Sequence, residues 1–220
     1  TANAQPLEQA IKGVEVSGSV VYRYNDYNND TSKDSLVGGD GRNAAGERVD
    51  PNTVSKSSNN YKVGTNVAAP VNDFVKINTR FLVANNAGEF AGADGTAGGL
   101  DTQADGDSNV DVELSNAYFG FTGIKNTTVN AGKQGLTTPW TVATQVDGNE
   151  QTGTGLLALS TLGNVTLAGA YFNQTNLHTS GNLANTANGS EDIATVGTIV
   201  AVGPVTLDAW YADMQETFST

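Results

Sequence analysis

From Val14 to Tyr24 the chain alternates. Val14, Val16, Val20, Tyr22 and Tyr24 fall on one parity, and Glu15, Ser17, Ser19 and Arg23 on the other, with Val21 the exception. A period of two is the signature of a strand with one apolar and one polar face. The pattern returns along the chain. Asn60–Ala69 sets Lys62 and Asn66 against Tyr61, Val63 and Val67. Asp73–Ala84 sets Lys76, Asn78 and Arg80 against Val75, Ile77, Thr79, Phe81 and Val83. Val110–Phe121 sets Asp111, Glu113 and Ser115 against Val110, Val112 and Leu114. Further β-rich runs at 127–134, 154–161, 165–174, 193–203 and 205–215 bring the predicted strands to nine.

The connections between these runs alternate long and short without a break. Short turns are predicted at Pro70, at Thr122–Asn126, at Leu162–Asn164 and at Gly203–Pro204. Long polar segments separate the other strands. All five prolines are expected outside strand interiors, as a hydrogen-bonded ladder requires. Only Pro6–Lys12 suggests a helical turn or two.

Two all-β architectures compete for this pattern. A soluble β-sandwich, as in an adhesin or lectin, packs its inward faces together, and its loops have no reason to alternate in length. A transmembrane antiparallel β-barrel has short turns at one end, long loops at the other, an apolar outer band and a polar lumen. A strand face carrying Glu15, Arg23, Lys62, Lys76 and Arg80 cannot line a dry core, because unpaired charges there are too costly, but it can line water. Aromatics near strand ends (Tyr22, Tyr24, Phe81, Tyr118, Phe121, Tyr171, Phe172, Trp210, Tyr211) fit the interfacial belts of a barrel. The barrel is the predicted fold. Nine strands would leave open edges in hydrocarbon, where unpaired backbone groups are very costly. Residues 1–220 are therefore expected to form one barrel domain that is the N-terminal half of a barrel of roughly 16–18 strands.

Composition narrows the chemistry. Net charge is −12, so nucleic acid is not an expected partner, while cations suit an acidic surface. No stretch of apolar residues is long enough for a membrane-spanning helix, which leaves strands as the only way across. Thr1 and its small polar neighbours read as a processed, mature terminus. With no cysteine and a single histidine, His178, most nucleophile–base pairs are missing, and no enzyme is predicted. His178 is expected to be solvated. Ala104–Asp111 begins like a calcium loop but lacks the glycine and final glutamate at EF-hand spacing, and is expected to be a hydrated acidic loop.

One long connection stands apart. Between Ala131 and Gly155 lie a Pro139–Trp140 pair and the acids Asp147 and Glu150, without a regular period. A loop of that length in a compact domain is usually functional or disordered. Its Ala131–Gln134, Leu136, Trp140–Thr141, Asp147–Gly148 and Gly153–Gly155 elements resemble the third-loop region of the Campylobacter-type (epsilonproteobacterial) major outer membrane porins. The start of the chain, Pro6–Tyr24, resembles the mature N-terminus of that family, and Ile193–Gly203 followed by Asp208–Gln215 resembles a later strand pair.

The resemblance implies a trimeric, water-filled, cation-preferring general porin of the bacterial outer membrane, passing ions and small hydrophilic solutes. Its third loop, here 135–153, folds into the barrel and narrows the pore. The resemblance also implies calcium at the constriction, with Asp147 as ligand; no cofactor is otherwise required. Asp147 and Glu150 are the acids expected to set selectivity. Arg23, Lys62, Lys76 and Arg80 are candidates for a basic wall facing the loop, and Asp111 and Glu113 share the polar face of the fourth strand. Lys133 falls on the outward parity, although the strand is ending there and its direction stays open. Trp140 is expected to anchor the loop by packing.

Overall fold

A computed structural model describes residues 12–27, 56–83, 112–145, 150–179, 190–215 and 218–219. The strands are β1 (Glu15–Tyr27), β2 (Lys56–Asn72), β3 (Val75–Val83), β4 (Val112–Ile124), β5 (Thr127–Gly135), β6 (Thr152–Leu162), β7 (Val165–Thr175), β8 (Ile193–Val202) and β9 (Val205–Met214), with a two-residue β10 (Phe218–Ser219). They form one antiparallel sheet in which each strand pairs with its neighbour in sequence. Among the described residues no second sheet faces it, which removes the sandwich. Pro6–Ile11 lies outside the described residues, as does Ala104–Asp111.

The sheet is inside-out relative to a water-soluble protein. Val20 is 77% exposed, while Lys62 and Arg80 are 3% and 6% exposed. Register explains the two faces. Val20 pairs with Val63, Tyr22 with Tyr61, Ile77 with Phe119 and Leu156 with Tyr171, so one face is dominated by apolar side chains. That face meets no other part of the described chain, and it is the lipid face of an outer-membrane barrel. Tyr22 and Tyr171 lie on it towards the long-loop ends of their strands, and Phe74 and Phe121 lie at the short-turn end. The Tyr22 hydroxyl donates to Asn59 Oδ1 at 2.5 Å, and the Tyr171 hydroxyl donates to the Asp192 carboxylate. An aromatic body in hydrocarbon with a polar tip in the headgroup layer suits both.

Three aromatics expected in the belts turn the other way. Tyr118 pairs with Gly132, Phe172 with Gly155 and Trp210 with Gly197, all on the opposite face. Each is followed or preceded by an outward aromatic (Phe119, Tyr171, Tyr211), so proximity to a strand end hid a difference in parity. Pro70 is a second correction. It lies within β2, two residues before the strand ends, and the turn is Asp73–Phe74. The ladder shifts register between Pro70 and Asn72, an irregularity that accommodates a residue without an N–H. The turn is closed instead by Asn72, whose Oδ1 accepts from the backbone N–H of Phe74 and Val75 at 2.9 and 3.0 Å.

Among the described residues the buried apolar cluster lies on the inner face. Leu136, Phe172, Leu177, Ile193 and Met214 form a buried cluster, with Leu157 and Ala170 against it. They come from β7, β8, β9 and the segments after β5 and β7, so the cluster seats a connection onto the wall.

Candidate functional site

That connection is the third long loop, which leaves β5 after Gly135 and enters β6 at Thr152. Residues 146–149 of it, Asp147 among them, lie outside the described residues. Its first turn is set by hydroxyl chemistry. The Thr138 and Thr141 hydroxyls are 2.7 Å apart, Thr141 Oγ1 donates to the Leu136 carbonyl at 2.7 Å, and the Thr138 backbone N–H donates to Thr141 Oγ1 at 3.0 Å. Short hydroxyl side chains bonded to nearby backbone favour a turn over a regular element. Pro139 at the tip adds a fixed φ.

The loop then runs back on itself. The Leu136 N–H donates to the Gln151 carbonyl at 2.8 Å, and the Gln151 N–H donates to the Val142 carbonyl at 3.0 Å. Leu136 is the apolar anchor, 2% exposed within the inner cluster. Trp140, expected to anchor by packing, is 42% exposed. The Thr138–Thr141 turn puts it at the tip, so the residue at the base of the turn takes the anchoring role.

Glu150 fixes the far end of the loop. Its carboxylate accepts from Arg80 Nε at 2.7 Å and from Arg80 Nη2 at 2.6 Å, a bidentate fork. Ser115 Oγ donates to the same carboxylate at 3.0 Å, and Lys62 Nζ stands 4.0 Å away. Arg80 Nη1 donates to Asn66 Oδ1 at 3.0 Å, and Lys62 Nζ donates to the Gln145 carbonyl of the loop at 2.7 Å. The loop is thus bonded to β2, β3 and β4 at once. Glu150 is 3% exposed, so its charge is spent on Arg80 rather than offered to water.

Two backbone features make this contact possible. The β3–β4 ladder shifts register after Arg80 paired with Asn116, leaving Ser115 as the extra residue, and a bulge re-aims a side chain in this way. Gly64 lies under the arginine: a Cβ there would sit 2.5 Å from Nη2 and 2.9 Å from Cζ. Gly64→Val is therefore expected to push the guanidinium off the carboxylate with every charge still present. Limited proteolysis should then cut residues 136–150 faster than in the unsubstituted protein, and an unchanged cutting rate would show that the fork tolerates the added side chain.

Asn176, just past β7, clamps the loop from the other side. Its Nδ2 donates to the Glu150 carbonyl at 2.7 Å, and its Oδ1 accepts from the Thr152 N–H at 2.7 Å. No sequence signal separated this asparagine from its many neighbours of the same type.

The remaining candidates fall elsewhere. Arg23 lies on the inner face opposite Asn60, partly buried, and Glu113 lies on the inner face opposite Leu82. Lys76 is one residue into β3 at the short-turn end, exposed and ion-paired with Glu15 at 3.4 Å, so the structure does not bring it to the loop. Lys133 is exposed on the outer face and donates to the Leu114 carbonyl at 3.0 Å. His178 lies in a single 3-10 turn, Leu177–Thr179, and is exposed. Asp111, like Asp147, lies outside the described residues. Among the described residues no three acids or histidines cluster to hold a cation. Glu150, the acid nearest Asp147 in sequence, is bonded to Arg80 and Ser115.

The family model described as Campylobacter major outer membrane protein matches residues 1–217. Among solved structures, the chain is similar to OccK2 (OpdF) of Pseudomonas aeruginosa, with a TM-score of 0.57 and 7% identity over 94% of this chain and 48% of that one. It is also similar to a BenF-like porin from Pseudomonas fluorescens Pf-5, with a TM-score of 0.56 and 14% identity over 94% of this chain and 51% of that one. The chain spans about half the length of these structures. At such identities the likeness shows the fold, that of an outer-membrane β-barrel. No curated protein matches the sequence.

Proposed function

The chain belongs to the Campylobacter major outer membrane protein family and resides in the outer membrane, and on that premise we propose that it forms a general diffusion porin whose third loop narrows the pore. The observation that carries the reading is the loop itself, pinned by Glu150 to Arg80 on the face opposite the exposed apolar one. Small ions and hydrophilic solutes pass the narrowed path, and nothing in the reading calls for catalysis. Among the described residues β1 pairs only with β2, and closure of the sheet by further strands belongs to the same proposal. The roughly doubled length of the matched porins supports it, as does the cost of an open edge in hydrocarbon. Assembly as a homotrimer is part of the proposal too.

Selectivity follows from which charges remain free. Fields focus in a narrow water column with low-dielectric walls, whereas outer-loop charges are screened within about 8–10 Å at physiological salt. Glu150 is neutralised by Arg80, so the cation preference is assigned to Asp147. Asp147→Asn is expected to lower the cation-to-anion permeability ratio, read as the reversal potential across a planar bilayer under a salt gradient. An unchanged reversal potential would remove Asp147 from the narrow part of the pore. Calcium at Asp147 stays an implication of the family resemblance.

A further inference from the structure

The inner wall is not uniformly polar. Between the third loop and strands β4 to β9 lies a cavity of about 460 Å³, within the range of small-molecule sites. Its floor is formed by Leu157, Leu159, Phe172, Ile199 and Trp210, and its roof by the loop around Ala143 and Thr144. Among the described residues no Asp, Glu, Lys, Arg or His lines it. In a water-filled lumen this is a local exception, and the loop that creates the constriction also covers it.

Two details point to a ligand. Trp210 lies flat over Gly197, where a Cβ would come within 2.4–2.7 Å of the indole carbons. Its Nε1 is already bonded to Asp208 at 3.1 Å, so what it offers the cavity is an aromatic surface. Gln134, on the same wall, is 2% exposed and its Nε2 has no hydrogen-bond partner among the described residues. An unsatisfied buried amide costs free energy, and one beside an apolar cavity is a donor waiting for an acceptor. Its terminal torsion is soft, so the amide can turn into the cavity.

We propose that this cavity is a binding site for small uncharged aromatic solutes carrying a carbonyl acceptor, held by the Trp210 face and the Gln134 amide at the edge of the constriction. Charged solutes are disfavoured, because no described lining residue offsets their desolvation. As a stage in solute passage, the site rests on the channel reading above. As a binding site, it rests only on this wall and loop.

The test uses the intact protein in detergent, with benzamide as the probe and equilibrium binding read by calorimetry or ligand-observed NMR. Saturable binding is expected for benzamide and not for acetamide or benzoate at the same concentration. Gln134→Leu should weaken it roughly fivefold, the loss of one neutral hydrogen bond, and Trp210→Leu by a similar factor. Leu167→Ala, on the outer face, should leave it unchanged. Gln134→Leu should also cost little in thermal unfolding, since the Nε2 it removes has no partner among the described residues. Absence of saturable binding, or binding indifferent to both inner substitutions, overturns the site. Equal binding of benzoate overturns the assignment of an uncharged ligand. Potassium current through reconstituted channels separates the two readings: a conducting channel without benzamide binding removes only the site, while binding without conduction removes the porin function.

Discussion

Arg80→Ala is expected to free the third loop and raise single-channel conductance. With the loop still docked, Glu150 would be left buried against Ser115 once the arginine is gone, with Lys62 4.0 Å away as its remaining cationic neighbour. Removing one partner of a buried pair costs about 3–5 kcal/mol, because the other charge is left without compensation. The folded wall avoids that cost by releasing the loop, so that Glu150 reaches water. Three readouts should move together: faster protease cutting at residues 136–150, larger conductance and lower stability. Arg80→Ala combined with Glu150→Ala should be more stable than Arg80→Ala alone, since the Glu150 carboxylate is then not stranded and Lys62 keeps its bond to the Gln145 carbonyl. If the double variant is the less stable of the two, the pair is not what holds the loop.

The second large effect concerns the outer face. Phe119, 53% exposed, pairs with Ile77, and Tyr118 beside it pairs with Asn78. Phe119 and Asn78 therefore lie at nearly the same depth on opposite faces of the wall. Phe119→Arg is expected to destabilise the folded protein in lipid by about 2–4 kcal/mol if the site is near the midplane, while Asn78→Arg costs little. Folding in lipid vesicles under urea gives the comparison. Equal losses would mean that the two faces are not lipid and water.

Alternation in the sequence located the strands and assigned faces to β1–β4, because side chains in a strand must point to opposite sides and only one side here meets hydrocarbon. Alternation fails where the ladder does. The extra residue at Ser115 cannot be seen from Val112–Phe121 alone, since a bulge depends on the partner strand. Pro70 looked like a turn because a proline cannot donate, yet the register shift beside it lets β2 continue. The inward parity of Tyr118, Phe172 and Trp210 was legible, but their closeness to outward aromatics masked it. At the loop, sequence identified Glu150 and Arg80 as facing groups without showing that they touch. Contact depends on how a segment without periodicity folds back over three strands. Trp140 is the largest side chain of the turn, but the Thr138–Thr141 hydroxyls decide which end of the turn meets the wall. Asn176 acts through its position after β7, which no local pattern encodes.

The central claim is that the third loop lies in the conduction path. The chain has no cysteine, so a single one introduced at Thr144, an exposed loop position over the inner wall, is a unique target within it. Single-channel current through reconstituted protein should be recorded while a small cationic, membrane-impermeant methanethiosulfonate is added. The account predicts a stepwise fall in current for Thr144→Cys, and none for unsubstituted protein or for Leu167→Cys on the outer face. A current that stays constant, with labelling at residue 144 verified by mass, would place the loop outside the path of ions and contradict the account.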